Sequence, residues 1–217
     1  MPPEPAGDRG RTEAVRLFPD VSRETFERLD KLVAGLDKWQ KTINLVAPAT
    51  LKEVWLRHIA DSLQVAALIP PDARIVVDLG SGGGFPGLVV AAALADREGA
   101  HVHLIESDQR KAAFLRETAR AMAVPVSVHN ARIESALAAW PHGADIVTAR
   151  ALAPLDRLIG LALPLLTAVT VGIFAKGREI NEELTTAQSL WAFEHRLVAS
   201  RLDPEARLVV VSAARAR

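Results

Sequence analysis

Apolar residues in the first third of the chain recur at helical spacing. Between residues 22 and 43 they occupy one face of a predicted helix, and they are Phe26, Leu29, Leu32, Val33, Leu36, Trp39 and Ile43. The segment from Thr50 to Glu53 has the form of a capping box, in which a Thr and a Glu three residues later close the first turn of a helix. This predicts a second helix that ends near Leu68, before two consecutive prolines.

Beyond residue 74 the pattern changes to short β-branched runs that alternate with stretches rich in Ala and Leu. The predicted strands are 74–79, 101–105, 124–128, 145–148, 169–175, 196–202 and 208–212. The predicted helices are 86–96, 109–122, 132–139, 154–167 and 179–191. Such alternation predicts a parallel sheet covered by helices on both faces, and the last two strands would add an antiparallel hairpin at one edge. We therefore predict a doubly wound, mostly parallel seven-stranded α/β sheet with an N-terminal helical extension.

The same pattern suggests how the chain divides. Residues 1–20 are polar and rich in Pro and Gly, so we expect a flexible tail there. Residues 21–217 would form one domain, with helices over 21–70 and the α/β core over 71–217. Residues 158–175 carry no charge and are long enough to suggest a membrane span. Pro164 and two glycines interrupt them, so we interpret the segment as a helix followed by a buried strand and expect no membrane association.

Charge and composition exclude several classes of function. Lysine and arginine number 26, as do aspartate and glutamate, so the net charge is zero. A uniformly cationic nucleic-acid binder is excluded, but a local basic face is not. The absence of cysteine excludes disulfides and thiolate metal sites, and it is compatible with the cytoplasmic location that we expect. His101 and His103 lie on one side of a predicted strand without a third ligand, so we expect no metal.

A glycine-rich turn follows the first predicted strand. Residues 77–87 read VDLGSGGGFPG and lead into a helix, so a ligand there would meet backbone N–H groups and the positive end of that helix. Phe85 stands where the dinucleotide fingerprint G-x-G-x-x-G has its third glycine, and no Lys-Ser or Lys-Thr follows as in a P-loop. By itself the turn leaves open S-adenosylmethionine, a dinucleotide, or no ligand.

Two acidic residues sharpen this choice. Glu106 ends the second predicted strand, at the sheet edge where ligands bind in open α/β folds, and a carboxylate there would accept hydrogen bonds from ribose hydroxyls. Asp78 closes the first strand beside the turn. Two acids favour S-adenosylmethionine, which carries an ammonium group, over a pyrophosphate that Asp78 would repel. The alternative for Glu106 is a solvated acid at the start of the next helix.

Several longer stretches carry a resemblance to a known family. They are WQKTINL (39–45), EVWLRHIADSL (53–63), VDLGSGGGFPGL (77–88), LIESDQRKAAFLRE (104–117), ARIE (131–134), DIVTARALAPL (145–155) and FAKG (174–177). On these stretches the chain resembles the RsmG (GidB) family, which methylates guanine N7 in 16S ribosomal RNA with S-adenosylmethionine. Many methyltransferases share the glycine turn, whereas RHIADS before it and TARALAPL after it are more specific. The chain departs from the family pattern at Val46, often Thr, and at Glu106, often Asp.

The resemblance implies a Rossmann-like class I methyltransferase with S-adenosylmethionine as cofactor and S-adenosylhomocysteine as product. The residues expected at the cofactor, including the two acids above, are Asp78, Gly80, Gly82, Gly84, Phe85, Glu106, Ile133, Glu134 and Arg150. Ile133 and Glu134 match the pair that meets the adenine. Arg150 matches an arginine at the cofactor and substrate end, where its guanidinium would hold a carboxylate or an RNA phosphate. The implied partner is 16S rRNA or the small ribosomal subunit, bound by a monomer.

Other residues are expected on the substrate side. They are Asn44, Arg57, His58 and Lys176, and the further cations considered for RNA contacts are Arg9, Arg11, Arg16, Lys38, Lys41, Lys52 and Arg178. Arg57, His58 and Asp61 share one face of a predicted helix, which also fits an internal ion pair that holds the helix in place. Lys176 follows the fifth predicted strand, 169–175. We predict that Lys176→Ala weakens RNA binding more than cofactor binding.

The chemistry of guanine N7 limits the roles that these residues need to fill. N7 carries a lone pair and no proton, so methylation requires alignment of the reactants rather than an obligatory general base. Arg150, His58 and Lys176 remain the candidates for a direct role in the reaction. Three alternatives stay open: a methyltransferase of another RNA or a small molecule, a nicotinamide-dependent oxidoreductase, and a binding module without turnover.

Overall fold

Helical elements form the N-terminal part of the protein. The computed structural model describes residues 6–217, with side chains from residue 9 onward. The N-terminal elements are α1 (Ala6–Leu17), α2 (Arg23–Trp39), a 3₁₀ helix (Pro48–Glu53), a π-helical turn (Trp55–Ala60) and α3 (Asp61–Ala66). Ser22 caps α2, because its hydroxyl accepts a hydrogen bond from the Thr25 amide.

Strands and helices alternate in the rest of the chain, as the sequence predicts. The strands are β1 (Ile75–Leu79), β2 (His101–Ile105), β3 (Val126–His129), β4 (Ile146–Arg150), β5 (Val171–Lys176), β6 (Trp191–Ala199) and β7 (Arg207–Ala216). The helices are α4 (Gly87–Leu94), α5 (Gln109–Met122), α6 (Ile133–Leu137), α7 (Leu155–Ala162) and α8 (Ile180–Leu190). The uncharged segment 158–175 is thus the end of a helix followed by a strand. No helix in the part of the chain that the structure describes is long and apolar enough to cross a membrane.

The seven strands form one mixed sheet. Their order is β3-β2-β1-β4-β5-β7-β6, with parallel pairing from β3 to β5 and antiparallel pairing of β7 with both β5 and β6. This confirms the predicted doubly wound sheet and its antiparallel hairpin. The strand order reverses between β1 and β4, and in open α/β sheets ligands bind at the carboxyl ends of the strands beside such a switch point.

Alternate residues of the strands enter two apolar layers on opposite faces of the sheet. On β1, Val76 joins the layer formed with α2, α4 and α5, whereas Val77 joins the layer formed with α7 and α8. This follows from the twofold periodicity of a strand, which sends successive side chains to opposite faces. Both layers are buried, so β1 is apolar along its length up to Asp78, two residues before the glycine turn that lines the site.

The N-terminus differs from the flexible tail expected over residues 1–20. Residues 1–5 lie outside the described residues, but α1 is helical and Ala14 is fully buried. A Cβ added at Gly10 would lie 3.2 Å from Cβ of Trp55, so α1 approaches the π-helical turn closely. Arg11 also forms a bidentate ion pair with Asp30 of α2, in which Nε lies 2.7 Å from Oδ1 and Nη2 lies 2.8 Å from Oδ2. Composition alone missed these contacts because they form with distant residues.

The single helix predicted from Thr50 to Leu68 is three consecutive elements. The predicted capping box is wrong, because the Thr50 hydroxyl donates to the Ala47 carbonyl at 2.8 Å instead of capping a new helix. The turn from Trp55 to Ala60 is π-helical, a local widening that often occurs at functional sites. His58 lies within this turn, and its ring meets Thr50 as described below.

Candidate cofactor and substrate site

A cavity of about 480 Å³ opens at the carboxyl ends of β1, β2 and β4. Its volume lies within the range of small-molecule sites. Seven of the nine predicted cofactor residues line it: Gly80, Gly82, Phe85, Glu106, Ile133, Glu134 and Arg150. Sequence reasoning missed other lining residues, notably Leu45, Leu152 and Arg157. Leu152 belongs to TARALAPL, so that stretch carried a signal for it, whereas nothing marked Arg157.

Left-handed backbone shapes the glycine turn, which is residues 80–86. Gly80 has φ +66°, and a Cβ there would lie 2.7 Å from Cδ1 of Leu152. Gly84 has φ +84°, and a Cβ there would lie 2.6 Å from Cδ1 of Leu88. Any side chain at either position would be strained and would displace its neighbour. Gly84 therefore shapes the turn without lining the cavity.

Glu106 joins the glycine turn to the end of β2. Its side chain is buried, one carboxylate oxygen accepts from the Gly82 amide at 2.9 Å, and the other accepts from the Asp108 amide at 2.7 Å. A carboxylate oxygen has a second lone pair, so both remain able to accept hydroxyl donors from a ligand in the cavity. The solvated acid at the start of α5 is Asp108, which caps that helix, and Glu106 is a separate, buried residue.

Asp78 lies behind the glycine turn and does not line the cavity. It is 1% exposed, and the Thr148 hydroxyl donates to Oδ1 at 2.7 Å. Among the described residues, Oδ2 has no hydrogen-bond partner. Burial raises the pKa of Asp78 to about 6, despite the opposing hydrogen bond from Thr148. In this position Asp78 supports the turn from behind, and a direct contact with a ligand in the cavity is not part of the geometry.

Asp78 makes stability depend on pH. Because the pKa rises from its ordinary 3.8 to about 6 on folding, the native protein holds more protons than the unfolded chain between these values, and its free energy of unfolding falls as pH rises through them. The fall from this group is on the order of 3 kcal/mol. We expect Asp78→Asn to abolish this fall. In urea unfolding between pH 4 and 7, the free energy of unfolding of the variant should therefore rise relative to that of the parent as the pH increases.

Asp96→Asn is the matched control for this pH series. Asp96 is an exposed aspartate whose pKa is lowered from 3.8 by its hydrogen bond from Arg28, so its contribution to stability changes only below about pH 4 and its removal should leave the slope between pH 4 and 7 nearly unchanged. Parallel curves for the parent and Asp78→Asn across pH 4 to 7 would contradict the assigned role of Asp78.

Arg150 connects the sheet to the N-terminal helices. Its Nη1 donates to the Arg57 carbonyl at 3.2 Å and lies 3.6 Å from Oδ2 of Asp61, while Nη2 lies 2.8 Å from Nδ1 of His58. Its guanidinium carbon lies 5.3 Å from the centre of the Phe85 ring, a cation–π contact. One planar, permanently charged group thus holds β4, the π-helical turn and the glycine turn together at the mouth of the cavity.

The partners of His58 fix its protonation. Arg150 can only donate, so Nδ1 of His58 accepts and its proton resides on Nε2, which donates to the Thr50 hydroxyl at 2.8 Å. Burial, followed by the positive charges of Arg150 and Arg57, lowers the pKa of His58 to about 4. The ring is therefore neutral at physiological pH, and both nitrogens are occupied. This arrangement suits His58 to hold Arg150 in place rather than to take up a proton.

Lys176 is held by two partners within the protein. Its side chain is 9% exposed, its ammonium group donates to the Ala153 carbonyl at 2.8 Å, and it forms an ion pair with Glu183. The same Glu183 carboxylate accepts from the Leu155 amide at 2.7 Å. The Lys176–Glu183 pair thus fixes the C-terminal end of the loop 151–154, which lines the cavity with residues 151–153. This placement differs from the exposed phosphate contact expected from the sequence.

We expect Lys176→Met to loosen the loop 151–154 and to weaken S-adenosylmethionine binding about tenfold, the equivalent of about one charge-assisted hydrogen bond. Calorimetric titration with the cofactor measures the change. Arg178→Met is the matched control, because Arg178 is an exposed cation two residues further on that does not line the cavity. If Lys176→Met lowers RNA affinity alone, the phosphate contact predicted from the sequence is the better account.

The remaining predicted substrate residues lie around the cavity rather than in it. Asn44 is exposed and borders a neighbouring hollow with Lys41 and Arg110. The Arg57 side chain is exposed and borders another hollow on the far side of Arg150. Three other cations form ion pairs within the protein, Arg11 with Asp30, Arg16 with Glu13 and Lys38 with Glu117. Lys52 and Arg9 are exposed.

The two predicted strand histidines belong to a larger cluster. The His103 ring lies 4.9 Å from His101, 5.2 Å from His129 and 4.7 Å from His142, measured between ring centres. Burial and the neighbouring rings lower the pKa of His103 to about 4. Within the described residues, no group of three or more His, Asp or Glu side chains has a geometry that could hold a metal ion.

Known proteins with related sequences point in the same direction as this geometry. The family model described as rRNA small subunit methyltransferase G matches residues 25–206. A protein of Methylorubrum populi named ribosomal RNA small subunit methyltransferase G is 55% identical over 193 residues, covering 89% of this chain and 90% of the relative. One of the same name from Parvibaculum lavamentivorans is 50% identical over 200 residues, covering 92% and 88%.

Solved structures with related folds are methyltransferases of low sequence identity. An O-methyltransferase from Bacillus cereus in complex with SAH has a TM-score of 0.58 at 14% identity, covering 84% of this chain and 90% of that one. A ribosomal protein L11 methylase from Lactobacillus delbrueckii subsp. bulgaricus has a TM-score of 0.55 at 17% identity, covering 72% and 78%. These likenesses establish the class I methyltransferase fold, and the matches in sequence establish more: the chain belongs to the rRNA small subunit methyltransferase G family.

Proposed function

We propose that this protein transfers a methyl group from S-adenosylmethionine to N7 of one guanine in 16S rRNA, acting as a monomer in the cytoplasm. The observation that carries the proposal is the cavity in which the glycine turn, Glu106 and Arg150 meet at the switch point of the sheet. The membership in the rRNA small subunit methyltransferase G family supports an RNA substrate. The choice of guanine N7 rests on the resemblance of RHIADS and TARALAPL to that family.

The residues of the cavity fit S-adenosylmethionine. Glu106 keeps two free lone pairs beside the glycine turn, where ribose hydroxyls would donate. Ile133 and Glu134 border the same cavity, as an adenine contact requires. The cofactor would supply an electrophilic methyl group on a sulfonium sulfur. Arg150 at the mouth would pair with a carboxylate or phosphate, since its charge does not depend on pH.

The chain's own part in the reaction would be alignment. Guanine N7 loses no proton during methylation, so no side chain has to act as a base. Neutral His58, with both ring nitrogens engaged, is consistent with that requirement. His58 and Phe85 stack at 5.0 Å, and Arg150 lies against the same Phe85 ring, so the three side chains form one rigid wall. Such rigidity contributes to rate by holding reactants in line.

The test is incubation with radiolabelled S-adenosylmethionine and 16S RNA, both naked and within small ribosomal subunits. Nuclease digestion and mass spectrometry then identify the labelled atom. The expected result is one labelled guanine, modified at N7, with at least one of the two substrates. Label at another atom would overturn the choice of N7. Saturable binding of NAD in a parallel titration, without binding of S-adenosylmethionine, would overturn the assignment of S-adenosylmethionine as the cofactor.

A further inference from the structure

A second cavity borders the cofactor cavity on the opposite side of Arg150. It has a volume of about 290 Å³ and lies at the carboxyl ends of β4 and β5, closed on its far side by the β6–β7 hairpin. Arg150 and Ala151 line both cavities, so a ligand in one faces a ligand in the other across them. We call this second cavity the β4–β5 pocket. Its position is that of a second reactant beside the cofactor at the same sheet edge.

Two carboxylates border the β4–β5 pocket, and only one of them is committed elsewhere. Glu183 forms the ion pair with Lys176 and accepts from the Leu155 amide. Asp61, in contrast, has only long contacts among the described residues: 3.6 Å to Nη1 of Arg150 and 3.5 Å to Nε2 of Gln64. Charge-assisted hydrogen bonds are ordinarily 2.7 to 2.9 Å long. Asp61 therefore retains most of its accepting capacity.

Asp61 is also largely removed from water. Its side chain is 23% exposed, and burial raises its pKa, although Arg150 opposes this effect. A partly buried carboxylate without short hydrogen bonds is unfavourable, and such groups in native structures indicate a ligand or a functional role. The missing partners would be N–H or O–H donors, because an ionised carboxylate only accepts.

We propose that the β4–β5 pocket takes the target guanine, and that the Asp61 carboxylate accepts from its N1–H and 2-amino groups; this inference rests on the proposed function. Guanine presents these two donors side by side, which matches the two oxygens of a carboxylate. Adenine has an unprotonated N1 at the same place and would be repelled. N7 lies on the other side of the purine, so it would face the rim that Arg150 and Ala151 share with the cofactor cavity.

A neighbouring hollow of about 450 Å³ also borders Asp61, but its position fits the target base less well. It is lined by Thr50, Glu53 and Arg57 and shares Arg150 alone with the cofactor cavity. The β4–β5 pocket shares the backbone of the loop after β4 as well, which brings its occupant closer to the transferred group. A base in either place must leave its stack, as enzymes that modify nucleobases require.

The experiment compares guanine with inosine at the target position. Inosine keeps N1–H and N7 but lacks the 2-amino group, and ligation places it in 16S RNA at the guanine that the parent methylates. We expect the parent to methylate inosine RNA with about tenfold lower kcat/KM. Asp61→Asn should methylate guanine RNA at least about tenfold more slowly and lose the preference for guanine, because its amide offers one acceptor for the two donors of guanine and turns an N–H toward the other.

Asp203→Asn is the matched control. Asp203 borders the neighbouring hollow and not the β4–β5 pocket, and it should keep the preference of the parent. S-adenosylmethionine affinity of Asp61→Asn within about twofold of the parent would show that the cofactor cavity is intact. A displaced Arg150 would slow both RNAs equally, so only the ratio between guanine and inosine reports the contact.

The outcomes separate this inference from the function on which it rests. A parent that methylates guanine and inosine RNA equally would overturn the inference, whether or not the variant folds. A ratio in Asp61→Asn equal to that of the parent would do the same. No label at N7 of any guanine with the parent would overturn the proposed function, and the inference with it.

Discussion

Replacing Arg150 by lysine is expected to lower kcat/KM for methyl transfer by two to three orders of magnitude, on the order of 3 to 4 kcal/mol in transition-state free energy. The guanidinium contacts the Arg57 carbonyl and Asp61 through Nη1 and His58 through Nη2, while Phe85 lies against it. A lysine ammonium is a point charge and reaches only one of these partners at a time. The wall between the two cavities would lose its fixed position, although the charge remains.

Arg74→Lys is the matched control for this prediction. The Arg74 guanidinium likewise donates to backbone carbonyls, those of Pro71 and Ala73, but it lies just before β1, at the opposite edge of the sheet. We expect its kcat/KM to stay within about twofold of the parent. Steady-state methylation and thermal unfolding of both variants provide the measurement. If Arg150→Lys keeps more than a third of the parent's kcat/KM, the site does not require the simultaneous contacts of a planar guanidinium.

The sheet could be predicted from the sequence because its signals are local. The β-branched runs and the Ala- and Leu-rich stretches alternate along the chain, and Val76 and Val77 enter opposite layers as strand periodicity requires. The glycine turn and Glu106 were predicted for the same reason, since each follows directly from the end of a strand. The structure adds that these two are joined by a hydrogen bond to the Gly82 amide.

The contacts around Arg150 could not be predicted, because they join residues far apart in the chain. His58 and Arg150 are 92 positions apart, and the hydrogen bond between them decides the tautomer of the histidine. Without that partner, the helix face carrying Arg57, His58 and Asp61 fits a simple ion pair equally well. The acid of that face, Asp61, pairs instead with Arg150 at 3.6 Å, and His58 is the closer partner of Arg150, at 2.8 Å.

Burial reversed the interpretation of two charged residues. Lys176 follows a strand at the ligand edge of the sheet, which suggested a phosphate contact, yet it is 9% exposed and paired with Glu183. Asp78 was placed near a ligand ammonium, yet it lies behind the turn with one oxygen against Thr148. Sequence position identifies the sheet edge that a side chain belongs to, but its depth depends on neighbours contributed by other elements.

Replacing Glu106 by alanine is expected to weaken S-adenosylmethionine binding about a thousandfold. Two hydrogen bonds from ribose hydroxyls to a buried carboxylate contribute roughly 3 to 6 kcal/mol. The truncation also releases the Gly82 and Asp108 amides, so the glycine turn loses its tie to β2. Calorimetry gives the affinity directly. In thermal unfolding, the stabilisation that saturating cofactor gives the parent should be absent from the variant.

Glu106→Gln and Asp108→Ala distinguish the ligand contact from general damage. Glutamine keeps the length of the side chain but turns an NH₂ group toward one of the two amide donors, so its affinity should also fall by at least about tenfold. Asp108 caps α5 by accepting from the Arg110 and Lys111 amides, and its removal should lower the melting temperature without changing cofactor affinity. Equal affinity loss in Glu106→Ala and Asp108→Ala would mean that the end of β2 supports the site only through its fold. A loss confined to the Glu106 variants would place the ribose at the carboxylate, because Asp108→Ala disturbs the same loop while leaving both oxygens of Glu106 in position.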